Sequence, residues 1–556
     1  MIPHLFADAN DDGIRFILQS PDKDHTNGGL LRDREQGHLV TMAGRGGTGK
    51  SVLALQFLTE LLNQSEGKSP AAFYFTLEAS PLELARQLRD FEFGQRYFPH
   101  PELTREESEG SPPLRDLTHD SLYWSCGGLH LHAIPSPVED LAVLIRQIRQ
   151  TIANILVENL FDDLVGIVID PLGGIRSRDT LRTDLSSLKH LADSHKTFLF
   201  LLAEDHIYEQ HKSIEHYSQT VLQLQHDPFK QPTRGIFVQK ARSQPFRAGY
   251  HQLDLRKSGV TVFPSVEAQS AYAHDLKRSP DTAKDLEKAA FLTINGFDQL
   301  REIEDGSVIF LMGPPGTFKQ YIACNFATAP ENASSLYISF KAEQSAVEKY
   351  IKPVEDYHTF VNSGERSEPA TCFIDVRNPL STPQEILSRI RTLMSSPLRR
   401  PRIRRAVVWG LRRLADMPNF SGNIAVQFLE ALVTLLQAKQ TTCLLVDWPD
   451  IEKGNTLPIV DLSQYILLTR LCHSRRHLNE EHKSLADIVW KDSDNSEPRH
   501  AALLRVQRDN EGFHRDVGFR FVKSSKPNPG SERIKSDFEA CWNIVGDKWE
   551  KDPSLS

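Results

Sequence analysis

The chain has 556 residues, 39% apolar and 25% charged, with a formal net charge of −8. That length exceeds what one hydrophobic core serves and predicts several domains. The acidic balance argues against a protein that coats polyanions. Six scattered cysteines without a CxxC pair suggest neither a disulfide framework nor a zinc ribbon, as in a reducing compartment.

The start, MIPHLFADANDDG, has no basic region followed by an apolar one, so no signal peptide is expected. Apolar runs such as TFLFLLA (197–203) are too short to span a bilayer. A cytoplasmic protein with no membrane segment is the expectation. Along the chain, HLVTMAG (38–44) predicts a strand and SVLALQFLTELL (51–62) a helix. AAFYFTL (71–77), LVGIVID (164–170) and TFLFLLAE (197–204) predict strands, and 137–156 an amphipathic helix. Nearly continuous apolar runs of this length fit strands buried on both faces. Their alternation with helices predicts an α/β fold with a mainly parallel central sheet. The stretch 94–128, with ESEGSPP inside it, reads as an inserted loop. The polar 266–290 reads as a linker, after which the order restarts. Lys50 and Lys319 stand 269 residues apart in related octapeptides, GRGGTGKS (44–51) and GPPGTFKQ (313–320). A repeat of that length is a tandem domain duplication. The domains expected are 1–265, 291–523 and a helical tail, 524–556.

GxxxxGK[ST] between a strand and a helix wraps phosphates in backbone N–H groups at a helix N-terminus. The nucleotide-binding set is Gly44, Gly46, Gly47, Thr48, Gly49, Lys50, Ser51 and Val52. Lys50 is expected to reach the β- and γ-phosphates of ATP, and the Ser51 hydroxyl to bind Mg²⁺. Asp170, ending LVGIVID, is placed to hold the same Mg²⁺. Glu78, ending FYFTLE, is placed to accept a proton from attacking water.

GGTGKSVLALQFL, FYFTLEASPLELARQLRDF, VGIVIDPLGG and GIFVQKARSQPFRAGYHQLDLRKSGVTVFP resemble the KaiC branch of RecA-like ATPases. The resemblance covers most of 28–265 and, more weakly, 291–523. It implies two tandem RecA-like P-loop NTPase domains and a homohexameric ring. It also implies that the catalytic base comes from an E or EE pair, of which Glu78 is the first member, Ala79 replacing the second. A Lys-x-Arg pair, here Lys240 and Arg242, is implied to act on the γ-phosphate held by the neighbouring subunit.

In the second copy Phe318 replaces a loop glycine and Gln320 the Mg²⁺-binding hydroxyl residue. Lys341 and Ala342 stand at the carboxylate positions, Gly410 at the Mg²⁺ aspartate and Val506 at the lysine of Lys-x-Arg, while Arg508 remains. Losses at every catalytic position predict a non-catalytic pseudo-ATPase domain kept as a scaffold or for partner binding. No Ser–Thr pair falls in 456–468, so the self-phosphorylation of clock KaiC proteins is not expected.

The basic run RRPRIRR (399–405) reads as a solvated or subunit-contact face. Arg176, Arg178 and Arg182 lie in a loop without interleaved aromatics for base stacking, so nucleic-acid binding is not favoured. His206, His211 and His216, spaced by five, fit neither one helix face nor one strand face as metal ligands. The expected activity is Mg²⁺-dependent ATP hydrolysis by the N-terminal domain only, with a regulatory output through a protein partner. Two alternatives stand beside it: a DNA-binding repair or recombination-mediator ATPase, and a nucleotide-gated scaffold with negligible turnover.

Overall fold

The apolar runs become the central strands of two α/β sheets in a computed structural model of the chain. The structure describes residues 12–18 and most of 36–278 and 306–447, with strands at 465–472, 501–508 and 513–520. The main stretches outside the described residues are 19–35, 98–122, 135–140, 173–180, 227–233, 279–305, 314–318, 352–370, 396–402, 448–461, 473–500 and 521–556. The expectations for Arg176, Arg178, His211, Phe318 and the tail helix fall on these residues, outside the described ones. Two compact units divide the chain, Met1–Ala268 and Gln269–Ser556.

In the first unit α1 (Asp12–Ile17) precedes β1 (His38–Gly44), α2 (Lys50–Gln64), β2 (Pro70–Thr76), α3 (Pro81–Arg89) and α4 (Glu92–Gln95). Then come β3 (Tyr123–Cys126), β4 (Leu129–Ala133), α5 (Leu141–Val157), β5 (Asp163–Asp170), α6 (Leu181–His195) and β6 (Phe198–Ala203). The unit closes with α7 (Asp205–Gln210), α8 (Ser213–Tyr217), β7 (Thr220–His226), β8 (Arg234–Ala241), β9 (His251–Arg256) and β10 (Gly259–Phe263). Helix α9 (Val266–Arg278) occupies the start of the expected linker. The sheet order is β10-β9-β8-β7-β1-β6-β5-β2-β4-β3. Its centre is parallel, and β3, β8, β9 and β10 pair antiparallel at the flanks.

The central strands are buried along their whole length because both faces are covered. Leu53, Phe57 and Leu58 of α2 pack on one face with Val40, Val168 and Phe200. Phe57 stacks on Phe200 with ring centroids 5.4 Å apart. Leu144 and Ile148 of α5 and Leu188 of α6 cover the other face against Phe73, Ile167 and Leu199. Each such side chain contributes about 1.5–3 kcal/mol when fully buried. Part of the expected inserted loop is ordered instead. Tyr123–Cys126 and Leu129–Ala133 pair as a hairpin on the sheet edge, turned by Gly127 and Gly128 at φ +56° and +85°. A Gly-Gly pair supplies two positive φ values without a Cβ penalty, which is the turn a right-twisted hairpin needs.

In the second unit β11 (Val308–Met312) leads to α10 (Lys319–Ala327), β12 (Ser334–Ser339) and β13 (Thr371–Asp375). After the helix Pro383–Ser395 come β14 (Ile403–Trp409), the helix Ile424–Ala438, β15 (Thr442–Asp447), β16 (Tyr465–Cys472), β17 (Ala501–Arg508) and β18 (Phe513–Arg520). The order β13-β12-β14-β15-β11-β16-β17-β18 matches β4-β2-β5-β6-β1-β7-β8-β9 of the first sheet, position for position. Arg405 departs from the solvated face expected of 399–405. It is buried on β14, donates to the Phe326 carbonyl at 3.2 Å and lies over the Phe326 ring. No helix among the described residues is long and apolar enough to cross a membrane.

Candidate functional site

Strands β1, β2, β5 and β6 all end on one edge of the first sheet, the rim where ligands bind in parallel α/β folds. The loop after β1 folds over that rim. Gly49 precedes α2 at φ +100° with Leu255 Cδ2 3.3 Å from where a Cβ would stand, so only glycine fits without strain. No side chain caps α2, leaving its first N–H groups facing the loop.

Lys50 is 8% exposed, and its ammonium donates to the carbonyls of Gly44 at 2.6 Å and Arg45 at 2.9 Å. Burial pulls its pKa down, opposed by the charges of Asp170, Glu204, Asp205 and Glu78. Four carboxylates therefore act on this one buried ammonium. Ser51 Oγ donates to Asp170 Oδ2 at 2.7 Å, so two hard oxygen donors meet where α2 starts and β5 ends. That donor set fits a Mg²⁺ ion.

Tyr74 is a site residue that sequence reasoning missed. It is fully buried on β2, and its hydroxyl also donates to Asp170 Oδ2. Burial, then the Asp170 charge, raise the phenol well above its usual range, so it stays a donor. Within an apolar run its ring reads as core; only the register Tyr74↔Val168 brings the hydroxyl near the end of β5. Glu204 and Asp205, where β6 passes into α7, and Arg234, whose Nε donates to the Gly47 carbonyl at 3.4 Å, were also missed. Asp205 pairs with exposed Arg45 at 3.7 Å.

Glu78 lies exposed on the turn after β2, in reach of the Lys50 charge. Thr76 Oγ1 shapes that turn, donating to the Ala79 carbonyl at 3.0 Å and accepting from the Ala79 N–H at 3.0 Å.

Lys240 and Arg242 are not brought to this rim. Lys240 pairs with Val221, and Val221 with Thr41. The Arg242 N–H bonds Gln219, whose N–H bonds Leu39. At about 3.3 Å per residue, these positions lie roughly 10 and 16 Å along the strands below Gly44, towards the opposite edge. The Lys240 ammonium donates there to the Glu215 carbonyl. His206 pairs with Glu204 at 3.1 Å, and no group of three or more His, Cys, Asp or Glu that could hold a metal ion forms among the described residues.

The second unit repeats the scaffold with other chemistry. Ser339 Oγ shapes the turn after β12 as Thr76 does, donating to the Ala342 carbonyl at 2.8 Å and accepting from the Ala342 N–H at 2.9 Å. Lys341 thereby stands in the place of Glu78. Ser339 pairs with Trp409 as Thr76 pairs with Asp170, so Trp409, not Gly410, replaces the aspartate. Likewise Gln507, not Val506, lies opposite Ile466 as Lys240 lies opposite Val221. β8 carries a bulge at Gln239 that β17 lacks.

Tyr337 keeps the place of Tyr74, but its buried hydroxyl has no hydrogen-bond partner among the described residues. These two tyrosines yield a prediction. Tyr74→Phe deletes a bond to a carboxylate and is expected to cost about 1.5–3 kcal/mol, whereas Tyr337→Phe is expected to be neutral or mildly stabilising. Denaturant midpoints of both variants check this; equal losses would show that the two hydroxyls are equivalent.

A family model described as ATPase: KaiC matches residues 22–267, under half of the chain. Comparison with curated proteins gives no match.

Proposed function

We propose, on the premise that residues 22–267 form a KaiC-type P-loop ATPase domain, that this domain hydrolyses ATP at a site completed by a neighbouring copy of the chain. The observation that carries the reading is Lys50 drawn onto the loop carbonyls beside the Ser51–Asp170 contact. Ser51 and Asp170 would hold Mg²⁺, which when bound offsets phosphate charge. Gly44, Gly46, Gly47, Thr48, Gly49 and Val52 frame the phosphates with backbone. Lys50 exchanges its carbonyl partners for phosphate oxygens. Glu78 orients water for attack on the γ-phosphate and accepts its proton. Tyr74 fixes the Asp170 carboxylate.

Lys240 and Arg242 lie too far down the sheet to serve their own loop, which supports delivery to the next copy. Contacts of that head-to-tail kind close into rings when the rotation permits. We therefore read the assembly as a cytoplasmic homohexamer. Residues 1–265 are the engine, and 291–523 are a non-catalytic scaffold that binds a regulatory partner.

Mixing tests the shared site. Glu78→Gln and Arg242→Ala proteins are each expected to be nearly inactive, and a mixture of them to regain part of the activity. In the mixture, some interfaces join an intact base to an intact arginine. No recovery, with mixed assemblies confirmed by tagged co-purification, would rule out residues acting between copies.

A further inference from the structure

The rim of the second sheet keeps a phosphate-loop lysine but carries the opposite charge balance. The Lys319 ammonium donates to the Gly313 carbonyl, as Lys50 does to Gly44. Lys50 faces four carboxylates, whereas the charges felt by Lys319 are one carboxylate, Asp447, and a second ammonium, Lys341. Burial brings Lys319 down to about 8, Asp447 opposing and Lys341 adding to the shift. Lys341 is exposed on a turn held in place by Ser339 Oγ. The two positions that would hold a divalent cation are filled by Gln320 and Trp409, neither of which offers a carboxylate.

These substitutions fit together. In the first unit a triphosphate meets a cluster dominated by carboxylates, and like charges close together repel. A divalent cation must enter with it. In the second unit the carboxylate turn has become an ammonium turn of the same backbone shape. Two lysines on one rim supply fixed positive charge for an anion without a metal ion. The buried, unpartnered Tyr337 hydroxyl marks the lost aspartate, since its counterpart Tyr74 still donates to Asp170.

We infer that the second unit holds the triphosphate group of a nucleotide or an inorganic polyphosphate through Lys319 and Lys341, without a divalent cation and without hydrolysing it. This goes beyond the ATPase reading, and its test is independent of turnover.

The experiment uses the full-length chain carrying Lys50→Ala, which disables the first loop. Equilibrium dialysis with labelled ATP is run in excess EDTA and again with Mg²⁺, with tripolyphosphate as competitor. About one ATP per chain is expected to bind in EDTA. Lys319→Ala or Lys341→Glu should weaken it roughly tenfold to a hundredfold, the span of one charge-assisted hydrogen bond, and Lys341→Arg should preserve it. Displacement by tripolyphosphate as effective as by unlabelled ATP assigns recognition to the phosphates alone; stronger displacement by ATP adds a nucleoside contribution. Both support the site. Absence of binding in EDTA overturns it, as does binding that Lys341→Glu leaves unchanged or that tripolyphosphate never displaces. Lys341 is exposed, so its variants are expected to fold, and an unchanged melting curve verifies that.

Discussion

Lys50→Ala is expected to abolish ATP hydrolysis by the full-length chain, lowering phosphate release at least about a thousandfold. Lys50 is the buried cation on which the charges of Asp170, Glu204, Asp205 and Glu78 act. Its removal takes away the buried counter-charge, leaving exposed Arg45 on Asp205, and opposes entry of the phosphate tail. The second unit is not expected to compensate, because Lys341 and Trp409 stand where the first has Glu78 and Asp170. Steady-state phosphate release with saturating Mg²⁺ and ATP is the measurement. Turnover near that of the unaltered protein would show that the engine lies elsewhere in the chain.

Glu78→Gln is expected to slow turnover by roughly 10²–10⁴-fold while ATP binding persists, as for loss of a general base. The separation of the two effects follows from the turn. Its shape rests on Thr76 Oγ1 and on backbone groups, not on the Glu78 carboxylate, so glutamine leaves it intact. Single-turnover hydrolysis measured beside nucleotide affinity distinguishes the outcomes. Normal turnover would transfer the role to another carboxylate, with Glu204 next to be tested. Lost affinity would mean that Glu78 holds the site together.

Much of the first sheet was legible because its central strands are buried on both faces and read as unbroken apolar runs, as in His38–Gly44 and Asp163–Asp170. The loop was legible because its glycines, lysine and serine are contiguous. What stayed hidden depends on register. Tyr74 is an ordinary core aromatic until β2 is set beside β5. Trp409 was displaced by one residue, to Gly410, because counting from distant motifs does not fix where a strand ends. Val506 is likewise out by one residue: it is level with Val238, and the bulge at Gln239 then sets Lys240 level with Gln507, which only the strand pairing reveals. Arg405 read as surface because charge is normally solvated; its stacking on Phe326 is tertiary. The hairpin after residue 122 was hidden by a polar neighbourhood, although its Gly-Gly pair signals a tight turn.

The phosphate loop follows the end of β1, while Arg242 is level with Leu39, near its beginning. Under the shared-site reading each chain has a donating end and a receiving end. On that reading, an open row of n chains completes n−1 sites and wastes one half-site at each terminus; closing the row gains the nth. A lone chain completes none. Specific activity would therefore report the state of assembly: zero at dilution, rising with row length, and reaching its ceiling when no terminus remains.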